Sequence, residues 1–284
     1  MGTPGQAERY AHPLTPEYSP DLFRGTAEFY ARFRPRYPAV LLAAIRTAVD
    51  LDQAGAMLDL ACGTGEVALA FADSVEDIWA IDLEPEMITM ARLQASVRGI
   101  ERIHWLVGKA EDAEVPQQHF GLVATGRAFH RLNKPLIAQR CLDWLRPGGY
   151  FVDMGADSSG LAKPSEPWIA AAAEVYRQWL PRAAKSSSEV RSATPADAPK
   201  ATTETVLRDA GFADVAKHEF PVHRVWEIDQ FIGYLCSTSY SSMQFWGEAW
   251  EGYAEQLRET LAGFAVDGCL TETISSYFVV GRKP

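Results

Sequence analysis

From Met57 onward the chain alternates between short apolar runs and longer stretches of helical period. MLDLA reads as a short buried strand, and GEVALAFAD as a helix opened by glycine. DIWAID (Asp77–Asp82) is a second strand. PEMITMARLQASV follows as a helix with Pro85 in its first turn, where the amide that proline lacks has no partner to lose. RIHWLVG and FGLVATG supply a third and a fourth strand, KPLIAQRCLDWL a helix, and YFVDMG, after a PGG turn, a fifth strand. Strands separated by helices of this length predict a parallel sheet covered on both faces.

The flanks read differently. Residues 20–50 form a helical extension whose clearest helix is LLAAIRTAV, with Pro35 and Pro38 punctuating the approach. After Gly155, Pro164 to Leu180 is an extra helix carrying Trp168, Tyr176 and Trp179. Ala183 to Thr203, rich in Ser, Ala and Pro, is a loop and a candidate lid. TETVLRDAGF is a short helix stopped by Gly211, and DVAKHEFPV is strand-like. Residues 241–264 predict one amphipathic helix, with Trp246, Trp250, Tyr253, Leu257, Leu261 and Phe264 at spacings of three and four. SSYFVVGRK is a last, buried strand. The expected organisation is therefore an N-terminal helical extension (1–50), an α/β core (51–155), a cap insertion with a mobile loop (156–203), and a completion of the sheet with a helical insertion (204–284).

Composition narrows the function classes. Hydrophobic residues make up 47% of the 284-residue chain and charged residues 23%, enough to build a sizeable core. A formal net charge of −10 argues against a sequence-independent grip on nucleic acid and against an anionic membrane surface. Cys62, Cys141, Cys236 and Cys269 stand at no metal-ligand or redox spacing, and the six histidines are scattered, so neither a metal nor a disulfide framework is expected. Met1 to Tyr18 carries prolines and no apolar core, unlike a secretory signal. Gln6 stands where a myristoylation motif wants Ser or Thr. No apolar run is long enough to span a bilayer. A cytoplasmic location is the expectation.

The chemistry concentrates in LDLACGTGEVALA. Gly63 and Gly65 allow close approach of the backbone to a ligand and dihedrals that a Cβ resists. In an open α/β sheet this first strand end is a favoured ligand position. Asp82 ends the second strand, 17 residues after Gly65, where a carboxylate can accept from two ribose hydroxyls. These residues predict a nucleoside-bearing cofactor without saying which. The G-x-G-x-x-A spacing also fits the phosphate turn of an NAD(P)-dependent oxidoreductase, through Gly63, Gly65 and Ala68.

LDLACGTGEVALAFA, IWAIDLEPEMITMAR, VGKAEDAEVPQQHFGLVATGRAFHRLN and LRPGGYF stand in the order and spacing of the motifs of class I S-adenosylmethionine-dependent methyltransferases, a family that this chain resembles. FYARFRPRYP, LRDAGF and YFVVGRKP further resemble small-molecule methyltransferases of the trans-aconitate methyltransferase-like kind. The resemblance covers residues 25–155 strongly and the remainder weakly. It implies an α/β fold: a Rossmann-like three-layer sandwich with a mostly parallel seven-stranded sheet, its last strand antiparallel, and helical cap insertions. It also implies S-adenosyl-L-methionine as cofactor, S-adenosyl-L-homocysteine as product, and no metal. Carried over by position, Asp59, Ala61, Gly63 and Gly65 would line the methionine half of the donor. Asp82 would hold the ribose, Leu83 and Met87 would border the adenine, and Ala110 and Glu111 would meet its edge. Thr125 and Gly126 would lie under the sulfonium. Tyr30 and Arg34 resemble the pair that closes over the donor, where a guanidinium can clamp the methionine carboxylate.

Methyl transfer from a sulfonium is an in-line displacement, so much of the catalysis is alignment. A hydroxyl or ammonium acceptor also needs a base; a carboxylate needs none. His130, just past the fourth strand, is the candidate base, since an imidazole with an ordinary pKa of about 6.5 suits the task. Arg131 stands where an aromatic residue is common in the family, and this departure favours an anionic or polar acceptor. Trp226 and Tyr234 are candidate substrate residues in the aromatic-rich second half, whereas Trp246 and Trp250 belong to the core by their helical stripe. The expected activity is methyl transfer to a small molecule, preferably at oxygen and in secondary metabolism, with no nucleic-acid or membrane partner. The competing readings are the oxidoreductase and a catalytically silent S-adenosylmethionine-binding protein.

Overall fold

The structure is a computed structural model that describes residues 27–51, 55–157, 161, 164–183, 201–238 and 240–284. The start of the N-terminal extension and residues 184–200 of the expected lid lie outside the described residues. Seven strands, β1 (Ala56–Leu60), β2 (Asp77–Asp82), β3 (Ile103–Val107), β4 (Phe120–Gly126), β5 (Leu145–Asp157), β6 (Ala213–Glu227) and β7 (Cys269–Arg282), form one sheet in the order β3-β2-β1-β4-β5-β7-β6. β1 pairs in parallel with β2 and β4, β2 with β3, and β4 with β5. β7 runs antiparallel to both β5 and β6. This is the Rossmann-like sandwich with its last strand antiparallel. The strand order turns back between β1 and β4, which opens a crevice beyond their carboxyl ends.

Every residue of β1 is buried, because helices cover both faces and the strand has no solvent side. On one face lie α2 (Ala39–Ala48), α3 (Glu66–Phe71) and α4 (Pro85–Val97), which set Leu41, Ile45, Phe71 and Ile88 against Met57, Ile78 and Leu122. On the other, α5 (Lys134–Trp144) and α7 (Thr203–Ala210) set Ile137, Trp144 and Leu207 against Leu58, Val123 and Phe151. Local signals define these helices. Asn133 accepts from the Leu136 amide to cap α5, Thr202 caps α7, and Gly211 ends α7 at a φ of 104°.

β6 and β7 outrun the sheet. β7 pairs with β5 from Ser275 onward, whereas residues 269–274 pair with β6 alone. This two-stranded ribbon passes the carboxyl end of β5 and carries a third core. There α6 (Pro167–Trp179), α8 (Ile228–Cys236) and α10 (Trp250–Ala262) gather Trp168, Phe231, Tyr253, Leu257 and Leu270. Alternate residues Leu270, Glu272, Ile274, Ser276, Phe278 and Val280 of β7 point inward, the period of two of a strand with one covered face. Glu272 is a carboxylate on that inner face. It accepts from Trp226 Nε1 at 2.8 Å and pairs with Arg224 at 3.1 Å, so the buried charge is matched.

Two expectations change. The single helix over 241–264 is divided into a short α9 (Met243–Trp246), a 3-10 turn (Gly247–Ala249) and α10, with Gly247 at a φ of 55° where the helical path breaks. Trp246 is buried as expected, and Trp250, half-buried, packs against the same cluster. Residues 228–236, for which the pattern predicts no element, form α8. Gly233 lets it approach the N-terminal helix α1 (Ala27–Phe33): a Cβ there would stand 2.5 Å from the Phe33 ring. Among the described residues, no helix is long and apolar enough to cross a membrane.

Candidate functional site

β1 runs into a turn bent by three left-handed residues, Ala61 (φ 51°), Gly63 (φ 55°) and Gly65 (φ 82°). A Cβ on Gly65 would stand 2.8 Å from the Trp105 ring and 3.3 Å from the Ala91 methyl, so glycine lets α3 settle against its neighbours. Two carboxylates fix the turn. Asp59 Oδ2 accepts from the Ala68 amide at 3.0 Å, one of the first-turn donors of α3 that have no partner within the helix. Asp82 Oδ2 accepts from the Gly63 amide at 2.7 Å, and Oδ1 from the Glu84 amide at 3.0 Å. Burial raises the pKa of both. That of Asp59 is pushed up to about 8, and the Glu84 and Gly63 amides oppose the rise at Asp82. Asp59 Oδ1 is buried with no hydrogen-bond partner among the described residues. A carboxylate oxygen left so has a vacancy for a cationic donor.

Beside the turn lies a cavity of about 10 Å³, room for about one water. Tyr30 and Tyr37 wall it from the N-terminal segment, Asp59 and Ala61 from the turn, and Gly126 and Arg127 from the end of β4. Glu66, which also lines it, pairs with Arg127. Burial raises the Glu66 pKa, and the Arg127 guanidinium opposes the rise. The fold thus brings the predicted Tyr30, Asp59, Ala61 and Gly126 into one cavity. Tyr37, Glu66 and Arg127 join them without having been predicted. The signal for them was present: Tyr37 ends FYARFRPRY, Glu66 follows the second glycine of the turn, and Arg127 follows the glycine that ends β4.

The other predicted residues are distributed around this cavity. Tyr30 covers Gly63, where a Cβ would stand 3.7 Å from its ring. Leu83 is exposed after Asp82, and Met87 is buried in α4. Ala110 and Glu111 lie in the 3-10 turn Ala110–Asp112 after β3, with Glu111 Oε1 accepting from the Asn133 amide at 2.9 Å. Thr125 is buried at the end of β4. Arg34 does not line the cavity. Its guanidinium lies 4.8 Å from the centre of the Tyr30 ring and 5.3 Å from that of Tyr234, and it donates to the Ser237 carbonyl at 3.1 Å. Tyr234, in α8, thereby touches the predicted pair. His130 stands exposed in the 3-10 turn Phe129–Arg131, outside the cavity lining, and Arg131 Nε donates to its Nε2 at 3.3 Å. Trp226 is a correction: it is 1% exposed and bonded to Glu272, so it packs the cap core and offers no face to a substrate.

A left-handed glycine turn, a carboxylate ending the next strand and a crevice at the point where the strand order reverses are now in place. Residues 57–149 match the methyltransferase domain family. A Listeria monocytogenes protein named as an uncharacterized RNA methyltransferase is 32% identical over 87 residues, 31% of this chain and 19% of that protein. The human tRNA (uracil-5-)-methyltransferase homolog A is 34% identical over 85 residues, 29% of this chain and 14% of that one. The chain spans under a fifth of the length of these curated relatives. Their names lend no support to the exclusion of nucleic acid drawn from net charge.

Solved structures resemble a greater share of the chain. A protein of Anaeromyxobacter dehalogenans, presented as a candidate type II methyltransferase, superposes with a TM-score of 0.56 at 19% identity, covering 88% of this chain and 97% of that one. Phosphoethanolamine N-methyltransferase 2 of Haemonchus contortus, solved with S-adenosyl-L-methionine, gives 0.54 at 16% identity, covering 93% of this chain and 59% of that one. At these identities the likeness establishes the fold.

Proposed function

We propose that the chain is an S-adenosylmethionine-dependent methyltransferase acting on the oxygen of a small acceptor. The observation that carries this reading is the pair of carboxylates that fix a left-handed glycine turn, of which the buried Asp59 lines the cavity and leaves Oδ1 without a partner among the described residues. The residues fit the donor. Asp59 Oδ1 would take the ammonium of the methionine half, Asp82 the ribose hydroxyls, Leu83 and Met87 the faces of the adenine, and Ala110 and Glu111 its edge. When bound, S-adenosylmethionine supplies an activated methyl on a sulfonium. Thr125 and Gly126 would lie beneath that centre, and Tyr30 would shield it from water. In this reading residues 1–50 close over the donor, 51–155 hold it, 156–203 form the cap, and 204–284 complete the sheet.

The acceptor side favours an anion. Arg34 joins the cap to the N-terminal segment, and Arg131 stands beside Asp82 with its charge in range of that carboxylate. A carboxylate acceptor needs alignment and no base, which agrees with an exposed His130 at the rim. The phosphorylated small molecule in the name of the Haemonchus contortus neighbour supports a small anionic acceptor as a class. A cytoplasmic enzyme of secondary metabolism is the setting this reading favours, because a divergent cap suits a specialised acceptor.

The test is calorimetric titration with S-adenosylhomocysteine, with NADH in parallel. Saturable binding of the first and none of the second is expected. Binding of NADH alone would return the turn to a dinucleotide. Methyl transfer is then assayed with a panel of small carboxylic acids against bulk tRNA. Transfer to tRNA alone would overturn the small-acceptor reading in favour of the activity in the curated relatives' names.

A further inference from the structure

One side chain holds the N-terminal segment across the carboxyl end of β4. Arg127 Nη1 donates to the Pro35 carbonyl at 3.0 Å, and the guanidinium lies 4.7 Å from the centre of the Tyr37 ring. Nη2 pairs with Glu66, the first residue of α3. Arg127 is itself well anchored. Its amide donates to the Met154 carbonyl of β5 at 2.8 Å, and its backbone takes a left-handed φ of 57°. Below it, Gly126 has no side chain, and the Tyr37 hydroxyl occupies the space that a Cβ would take.

In this arrangement the cavity is about 10 Å³. Small-molecule sites need ~300 Å³ or more. The methionine half of a donor cannot enter while Tyr30 and Tyr37 stay in place. Of the two walls, the turn is held by backbone hydrogen bonds and two carboxylates, whereas segment 34–37 is tied by the side chains of Arg34, to the Ser237 carbonyl, and Arg127. The segment is the wall with fewer main-chain ties. When it swings away, Arg127 loses Pro35 and Tyr37 but keeps Glu66, so the guanidinium stays where the segment can meet it again.

We propose that Arg127 is a latch on the donor cleft: by gripping Pro35 and Tyr37 from a fixed position on Glu66, it holds the N-terminal segment over the empty cleft and sets the rate at which the segment opens to admit the donor. This rests on reading the cleft as the donor site. Arg127 is a positioning residue in this scheme, since it acts on the segment and not on the reacting atoms.

The test measures amide hydrogen exchange by mass spectrometry, with and without S-adenosylhomocysteine, and the association rate of that ligand, in the full chain and in Arg127→Met and Arg127→Lys. In Arg127→Met, amides of residues 27–37 should exchange at least about fivefold faster without ligand while α2 and the central strands are unchanged, and the ligand should associate at least about fivefold faster. Arg127→Lys should fall between, because an ammonium can keep Glu66 but lacks the planar fork that reaches Pro35 and stacks on Tyr37. Should Arg127→Met fail to fold, Arg127→Lys decides alone. Unchanged exchange over residues 27–37 in the folded variant overturns the latch, as does faster exchange with an unchanged association rate. If the unaltered chain binds no S-adenosylhomocysteine, the donor reading fails, and the ligand-free exchange still decides whether Arg127 holds the segment.

Discussion

The two sides of the cleft are made of different material. On the donor side, the turn after β1 works through main-chain dihedrals and amides, with Asp59 and Asp82 binding amides of their own fold. On the side proposed for the acceptor, long side chains make the contacts: Arg34 of the N-terminal segment lies between two tyrosines, and in the cap Arg224 pairs with Glu272. A site built from backbone tolerates few substitutions, because a Cβ or a lost carboxylate changes the path of the chain. A site built from side chains can be altered residue by residue without moving the sheet. Affinity for the donor should therefore be brittle and choice of acceptor plastic.

The largest effect is expected on the backbone-built side. Asp82→Ala removes the acceptor proposed for the ribose and the anchor of the Gly63 amide. At ~1.5–3 kcal/mol for each charged hydrogen bond, calorimetry should find S-adenosylhomocysteine affinity reduced at least about 100-fold. A reduction of only severalfold would mean that side chains, not the turn, hold the donor. Glu272→Ala should then separate the two sides. It leaves Arg224 and the Trp226 indole without their buried partner, and thermal unfolding should register a loss of about 3 kcal/mol. Donor affinity should stay within about twofold, and a parallel fall would show that cap and core respond as one site.

Asp59 adds a pH signature. Its carboxyl is pushed up to about 8, so between its ordinary range and pH 8 the native state holds a proton that the unfolded chain has released. Stability contributed by this group therefore falls as pH rises through that interval. Affinity for the donor's ammonium moves the other way, since only the ionised form pairs with it. S-adenosylhomocysteine binding should strengthen roughly tenfold from pH 6.5 to 8, and Asp59→Asn should flatten that slope. The smallest change is expected at the rim. His130→Ala should lower kcat less than about tenfold at saturating acceptor, below the usual contribution of a general base. A hundredfold loss would restore His130 as the base and favour a hydroxyl or amine acceptor.

What could be read in the sequence follows the same division. β2, α4 and β4 have the limits that their end residues predict, because Asp82, Pro85 and Gly126 are terminators with local physical meaning. α8 gave no such signal. FIGYLC is apolar throughout, so it shows neither period, and its packing on α1 depends on Phe33, far away in the chain. The break at Gly247 hides inside a continuous helical stripe. Glu66 and Arg127 look like solvated charges beside glycines, since Arg127 finds its partners 61 and 92 positions away, at Glu66 and Pro35. Trp226 reads as a free aromatic for the same reason: Glu272, which satisfies its indole, is 46 positions further on.

The extension of β6 and β7 beyond the sheet has a mechanical meaning. The same two strands run uninterrupted from the core into the cap, with Val222 opposite Ile274 where β5 no longer accompanies them. The cap therefore stands on a beam, and strand pairing resists bending where a loop would swing. A beam of two strands yields mainly by twisting. Any exchange of this cap for another would have to be spliced at that rung in matching register, since a slip of one residue would turn Glu272 outward and Thr273 into the core.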